Sequence, residues 1–252
     1  YEHFNAMEKW IKHLEKTASE LPPEVASLEG RRLENQRYLI NTGFHLGDWL
    51  VPSIVNEAGF ADGPMSAYLT KDLVSTSLYA NSTDIFSQIC RTLGYADKAN
   101  EYQSLNERIR QAYEEEYVAE DGSLTNPLQG SYVLALQMRM VSDAKKPLLA
   151  AKLVELIRSN GNRLDTGFMS VPYLLDVLHD NGFRDVVYEL LYQNQYPSWL
   201  YEIENGATTM WESWDAIRQD GKAGSCSFNH YAFGCIGDFI YRRMLGIQQE
   251  GI

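Results

Sequence analysis

The sequence predicts an all-α protein. Three observations carry this: apolar residues recur three and four apart over most of the chain, the intervening segments are short and rich in Gly, Pro, Asn and Asp, and no stretch sustains strand alternation. In "EHFNAMEKWIKHLEKTASEL" the residues Phe4, Met7, Trp10, Ile11 and Leu14 line one helical face, which Pro22 and Pro23 then end. From Asp72 to about Leu93, the set Leu73, Val74, Leu78, Ile85, Phe86, Ile89 and Leu93 repeats the period, and Gly94 caps it. "ADKANEYQSLNERIRQAYEEEYV" places Ala99, Tyr102, Leu105, Ile109, Ala112 and Tyr113 together before the turn "EDG". "GSYVLALQMRM" and "KPLLAAKLVELIRS" follow, the second opened by Pro147 in its first turn and stopped by "NGNR". "SVPYLLDVLHDNG", "FRDVVYELLYQ" and a last helix over "NHYAFGCIGDFIYRRMLG" bring the series to about eight helices.

Composition removes several classes of function. With 252 residues, 44% of them hydrophobic, the chain can build a real core, and it is expected to form a single domain over 1–252. A net charge of -12 leaves no basic stripe for a phosphate backbone, so no nucleic acid is expected as partner. No run approaches the roughly 18 to 20 apolar residues of a membrane helix, so no membrane is expected either. The opening residues lack the apolar centre of a signal peptide. Cys90, Cys226 and Cys235 are odd in number and carry no metal-ligand spacing, which favours reduced thiols and a cytoplasmic setting. No metal or other cofactor is implied, and oligomeric state is left open.

Function is expected in the loops that join the helices. Three connections combine polar and aromatic residues: "LINTGFHLGDWLVPS" at 39 to 53, "NGATTMWESWDA" at 205 to 216, and "SFNHYAFG" at 227 to 234. A sugar ring offers an apolar C–H face that stacks on indole or phenol, and hydroxyls that pair with carboxylates, amides and imidazoles. The loops have that composition. Nucleophilic chemistry is poorly supported, since "GxSxG", "HExxH" and a Cys–His arrangement are absent.

These segments, with "YPSWLYEIENG" leading into the second window and "LDTGFMSVPYLLDVL" and "IYRRMLGI" flanking, resemble the catalytic domain of the bacterial α-L-rhamnosidases, glycoside hydrolase family 78. The resemblance runs nearly the whole chain, and its most specific part is "GATTMWESWD" followed by "FNHYAFG". It implies an (α/α)6 toroid of helical hairpins that hydrolyses terminal α-L-rhamnosyl groups with inversion.

Carried onto this chain, the resemblance makes Glu212 the general base that activates water. The flanking indoles agree with a partly dry pocket, and the plain alternative is a carboxylate capping a helix that starts near Trp211. His230 corresponds to a histidine that contacts sugar hydroxyls, or else is a buried histidine tied to a backbone carbonyl. Trp49 corresponds to a sugar platform, or else is a core aromatic. Asp48 either bonds sugar hydroxyls or caps the segment that follows it. Of Trp211 and Trp214, one is expected to line the pocket and one to pack behind Glu212, with Trp211 nearer the sugar. Asp215 reads as a group that orients others.

One departure from the family matters. Its members carry, upstream of "GDW", an acidic segment of the "RDER" type that supplies the proton-donating glutamate, and this chain has nothing like it. An inverting hydrolase needs two carboxyl groups roughly 6.5 to 9.5 Å apart. The chain is therefore expected to be the C-terminal two-thirds of such a toroid, incomplete, holding the base without the acid and inactive in isolation. Two other classes stay open: another glycosidase on the same toroid, and a non-catalytic glycan-binding module.

Overall fold

The computed structural model describes residues 2–247; of the expected domain 1–252, residue 1 and residues 248–252 lie outside the described part. Ten α-helices follow one another among the described residues: α1 (Phe4–Ser19), α2 (Gly30–Gln36), α3 (Gly63–Thr92), α4 (Ala96–Tyr117), α5 (Gln129–Gln137), α6 (Lys146–Ser159), α7 (Val171–Asp180), α8 (Arg184–Leu191), α9 (Trp199–Glu204) and α10 (Ile236–Phe239). Their β pairing is confined to three isolated bridges inside loops, Val55 with Ala61, Val118 with Leu124 and Ile217 with Ala223. The all-α expectation holds.

Four boundaries differ from the sequence reading, each for a local reason. Helix α3 begins at Gly63, well before Asp72, because the Asp62 carboxylate accepts the Met65 N–H at 2.9 Å and Pro64 sits in the first turn, where its missing N–H costs nothing. Helix α5 ends at Gln137, where Arg139 adopts a left-handed φ of 56° and the Met140 N–H reaches back to the Ala135 carbonyl at 2.8 Å. Short helices α2 and α9 have too few turns to show a period. The expected last helix is divided into a 3-10 turn at Ala232–Cys235, α10, and a π turn at Ile240–Met244, consistent with Gly234 and Gly237 weakening a continuous α-helix.

The chain divides into two units. The first comprises Tyr1–Gly47, Tyr68–Pro127 and Leu134–Leu149. Its apolar centre joins Ile11 of α1, Phe86 and Cys90 of α3, and Ala99 and Tyr102 of α4, with Phe4, Met7 and Leu105 packed against them. The Phe86 and Tyr102 rings meet edge to face, centroids 4.9 Å apart. Helix α2 is tied to α4 by polar groups: Arg31 donates to both Glu115 oxygens at 2.9 and 3.1 Å, and buried Asn35 donates to Glu115 and Glu116 at 2.8 and 3.0 Å. These donors hold the Glu115 carboxyl down at about 2, the Arg31 bonds contributing most.

The second unit comprises Asp48–Ala67, Leu128–Val133 and Ala150–Ile252. Helices α7 and α8 bury Leu174, Leu175, Leu178, Val186, Val187 and Leu190 along stripes three and four apart. The π turn is clamped to α7: Arg242 and Arg243 each donate to Asp176, at 2.6 and 2.7 Å, and Arg243 also reaches Asp180 at 2.9 Å. Consecutive arginines thereby converge on one carboxylate.

Truncating the ring at the centre of the first unit tests this core. Phe86→Ala is expected to lower stability by about 3 to 5 kcal/mol, read as a fall in the urea midpoint with unchanged slope.

Candidate functional site

All seven residues singled out in the sequence lie in the second unit, and the site grows from the first of them. Asp48 is 1% exposed and its carboxylate is occupied by protein donors. Oδ2 accepts from the Gly167 N–H at 2.9 Å and the Ser170 hydroxyl at 2.6 Å, while Oδ1 accepts from the Met169 and Ser170 N–H groups at 2.9 and 3.1 Å. Those amides precede α7, so Asp48 holds the turn from which α7 starts. Burial pushes its pKa up, and the four donors oppose that push by favouring the charged form. Of the two roles that the sequence leaves open for Asp48, these contacts are those of a cap, made to the 167 to 170 turn and not to the segment that follows Asp48.

Three glycines make room for this arrangement. A Cβ on Gly130 would overlap Asp48 Oδ2 and lie 2.7 Å from Ser170 Oγ. One on Gly167 would lie 2.5 Å from the Trp49 carbonyl oxygen, and one on Gly63 would collide with the Trp49 indole. Trp49 thus lies across the first residue of α3, half-buried, with one part of its ring still reachable.

The Trp49 carbonyl accepts the Phe168 N–H at 3.0 Å, and this bond ties the first loop to the turn before α7. The Phe168 ring stacks on His230, centroids 5.1 Å apart at 27°, and meets Phe233 edge to face at 5.4 Å. On its other side His230 stacks on Tyr231 at 5.1 Å and 12°, and Tyr231 is 87% exposed. His230 Nδ1 accepts the Ala232 N–H at 3.2 Å. In the neutral ring the proton therefore sits on Nε2, which is left as a donor. The histidine is held through a backbone N–H, whereas the plain sequence alternative put it on a carbonyl.

The segment 210 to 212 is held alternately from two sides. The Met210 carbonyl accepts the His230 N–H at 2.8 Å, and the Glu212 N–H donates to the Ser227 carbonyl at 2.9 Å, so both face the 227 to 230 segment. Between them the Trp211 N–H donates to Glu202 Oε2 of α9 at 3.3 Å. Half-buried Glu212 accepts the Ser227 N–H on Oε2 at 2.8 Å. No helix begins near Trp211, which removes the helix-cap alternative for Glu212.

Both indoles beside Glu212 are enclosed. Trp211 is 2% exposed, packs with Tyr201 and Ala216, and meets Phe228 at 5.6 Å and 90°. Trp214 is 1% exposed, stacks on Phe233 at 4.0 Å and stands edge-on to Trp199 at 5.3 Å. Neither presents a face to a ligand. Asp215 is likewise occupied: Oδ2 accepts the Ala61 N–H at 2.6 Å and Oδ1 accepts the Ser213 hydroxyl.

Sequence reasoning missed three participants. Phe168, in "LDTGFMS", joins Trp49 to His230, and Ser227 orients the Glu212 carboxylate; neither residue type marks itself in a loop. Glu202 lies in a short amphipathic segment where a carboxylate reads as solvent-facing, yet it is 2% exposed. The described residues hold no cluster of three or more His, Cys, Asp or Glu that could bind a metal ion, and none of their helices is long and apolar enough to cross a membrane. All three cysteines are free thiols.

Comparison with known proteins places this geometry in a family context. Residues 1–244 match the model of the bacterial α-L-rhamnosidase 6 hairpin glycosidase domain. An α-L-rhamnosidase from Streptomyces avermitilis is 43% identical over 180 residues, covering 70% of this chain and 17% of that protein. Another, from Formosa agariphila, is 30% identical over 251 residues, covering 98% of this chain and 24% of that one. Among solved structures, the Streptomyces avermitilis α-L-rhamnosidase complexed with L-rhamnose superposes with a TM-score of 0.81 at 35% identity, covering 99% of this chain and 21% of that one. The native enzyme from Aspergillus terreus gives 0.77 at 26% identity, over 96% of this chain and 26% of its own. The chain thus spans under a third of the length of each of these relatives.

The enclosed anchor predicts a large response to small changes. Asp48→Ala strands three buried N–H groups and is expected to cost about 3 to 5 kcal/mol. Gly130→Ala, which adds one methyl against the same carboxylate, is expected to cost about 1 to 3 kcal/mol. Both are read from denaturant midpoints.

Proposed function

We propose that this chain, which belongs to the bacterial α-L-rhamnosidase six-hairpin glycosidase domain family, contributes the water-activating half of a centre that hydrolyses terminal α-L-rhamnosyl groups, with Glu212 as general base. The observation that carries this reading is the state of Glu212: one oxygen is fixed by the Ser227 N–H, and the residue is half-buried in a segment whose two tryptophans are enclosed. A base has to be oriented, partly dry and still open to water.

In this reading a water molecule lies against the second Glu212 oxygen. Its oxygen forms the new bond to the anomeric carbon as the bond to the leaving oxygen breaks, Glu212 takes the water proton, and a second carboxyl group protonates the leaving oxygen. The attack comes from the face opposite the leaving group, which gives inversion. His230 Nε2–H donates to a sugar hydroxyl, and the half-exposed Trp49 face takes the sugar's C–H surface. Trp211 acts as pocket wall, keeping bulk water from the base. Asp48 acts at a distance, through the 167 to 170 turn on which Phe168 and so His230 rest.

The proton donor is proposed to come from sequence outside these 252 residues. Support comes from the absence of an "RDER"-like segment and from two acids of the unit, Asp48 and Asp215, having both oxygens engaged by protein donors. The chain is accordingly read as the C-terminal portion of one six-hairpin catalytic toroid, and the intact protein acts on rhamnose-bearing glycans.

Three measurements test this. In the intact protein, Glu212→Gln is expected to lower kcat on an aryl α-L-rhamnoside by about 10² to 10⁴ with rhamnose binding retained. Unchanged turnover would reassign the base. His230→Ala is expected to raise KM by about tenfold. The isolated 252-residue chain is expected to release no rhamnose; robust release would place the acid within it.

A further inference from the structure

We propose that Glu202 is a positioning residue for Glu212, holding the peptide that carries the base from the side opposite the 227 to 230 segment. The inference rests on the reading of Glu212 as base, but the contact itself does not. Of the main-chain groups that fix residues 210 to 212, the Met210 carbonyl and the Glu212 N–H are bonded to backbone. The Trp211 N–H alone goes to a side chain, Glu202 Oε2 at 3.3 Å. Removing that acceptor strands a buried N–H one residue from Glu212.

The carboxyl group is an expensive choice for this task. Glu202 is 2% exposed, and its Oε1 is buried with no hydrogen-bond partner among the described residues. Helix α9 lines a cavity of about 490 Å³, whose other walls include Tyr192, Met210, Ile236, Ile240 and Met244. From the segment after α8 the titratable group is Tyr192; from the 211 to 226 segment, beside Trp211, it is Cys226; from α9 itself it is Tyr201. The segment from 236 onward sends apolar groups. No cation faces Glu202 among the described residues, and burial pushes its pKa up to about 7, with the Trp211 N–H opposing.

Two consequences follow from that environment. The folded protein holds this proton more tightly than the unfolded chain, so the stability it contributes is complete below the usual carboxylate range and is lost as pH rises through about 7. In the same interval the bond to Trp211 becomes charge-assisted and so stronger, which draws the Met210–Trp211 peptide, next to the one that carries the Glu212 N–H, more firmly towards α9. The grip on the base thus changes with the ionisation of a residue that touches no substrate.

The test uses the intact protein and three variants. Glu202→Leu removes the acceptor with little change in volume, and Glu202→Gln keeps an acceptor without a charge. For Glu202→Leu, amide exchange of the 205 to 215 peptide is expected to quicken, and kcat on an aryl α-L-rhamnoside to fall about tenfold to a hundredfold, with KM within about threefold of wild type. Glu202→Gln is expected to restore most of both, while the ratio of wild-type to Gln kcat shifts severalfold across about pH 6 to 8. Unchanged exchange and turnover in the Leu variant, with a flat ratio for Gln, would overturn the proposal. Glu212→Gln in the same assay separates the two readings: full activity there removes the base assignment, whereas the exchange result still reports whether Glu202 holds Trp211.

Discussion

The second unit depends on one buried carboxylate. Asp48 takes four donors from residues 167 to 170, and no apolar substitute can do this, because the turn before α7 presents its N–H groups inward before helical bonding can use them. A charge there is tolerated only while all its lone pairs are occupied. The requirement propagates outward. Gly130 and Gly167 lack side chains because a Cβ would enter the space of the carboxylate or of its own backbone, and Gly63 lacks one because the next residue, Trp49, lies across it. With the turn fixed, Phe168 has one place to be, and His230 stacks on it.

From that anchor the site is built by backbone pairing rather than by a regular element. Residues 210 to 212 run between α9 and the 227 to 230 segment, bonded alternately to each as an extended strand would be, although no strand forms. Extended backbone turns successive N–H groups to opposite sides, so a segment held from one side only would leave Trp211 unsatisfied. Glu202 answers that need from α9. The same alternation sends the side chain of Trp211 into the interior with Tyr201 and Ala216, and leaves Glu212 half-buried on the other face.

Much of the fold was legible because burial writes a period into sequence. The stripe expected for α4 differs from the buried face by one exchange: half-buried Leu105 gives way to Asn106, whose amide donates to the Ala80 carbonyl at 2.6 Å. A polar residue that buries itself to satisfy a distant carbonyl carries no periodic mark. Helix α9 escaped because six residues make under two turns, and the last helix was overread because apolar spacing does not report the glycines at 234 and 237 as breaks. In the site, motif and composition pointed to Glu212, His230 and Trp49 within loops. They did not separate an exposed acid from an enclosed one, so the two roles of Asp48 stayed open and Glu202 did not register.

That separation distinguishes four acids of this unit. Asp48, Asp215, Glu202 and Glu212 have near-identical chemistry in isolation, and in the fold they differ by burial and by how many lone pairs are already used. Asp48 and Asp215 have both oxygens engaged, which fits them for holding backbone and unfits them for taking a proton from water. Glu202 keeps an oxygen unbonded, but that oxygen is buried, its other oxygen is spent on the Trp211 N–H, and the residue belongs to the lining of the α9 cavity. Glu212 combines one oxygen oriented by the Ser227 N–H with partial access to solvent. A general base needs orientation from one lone pair and freedom in another, and of these four carboxylates only Glu212 has both.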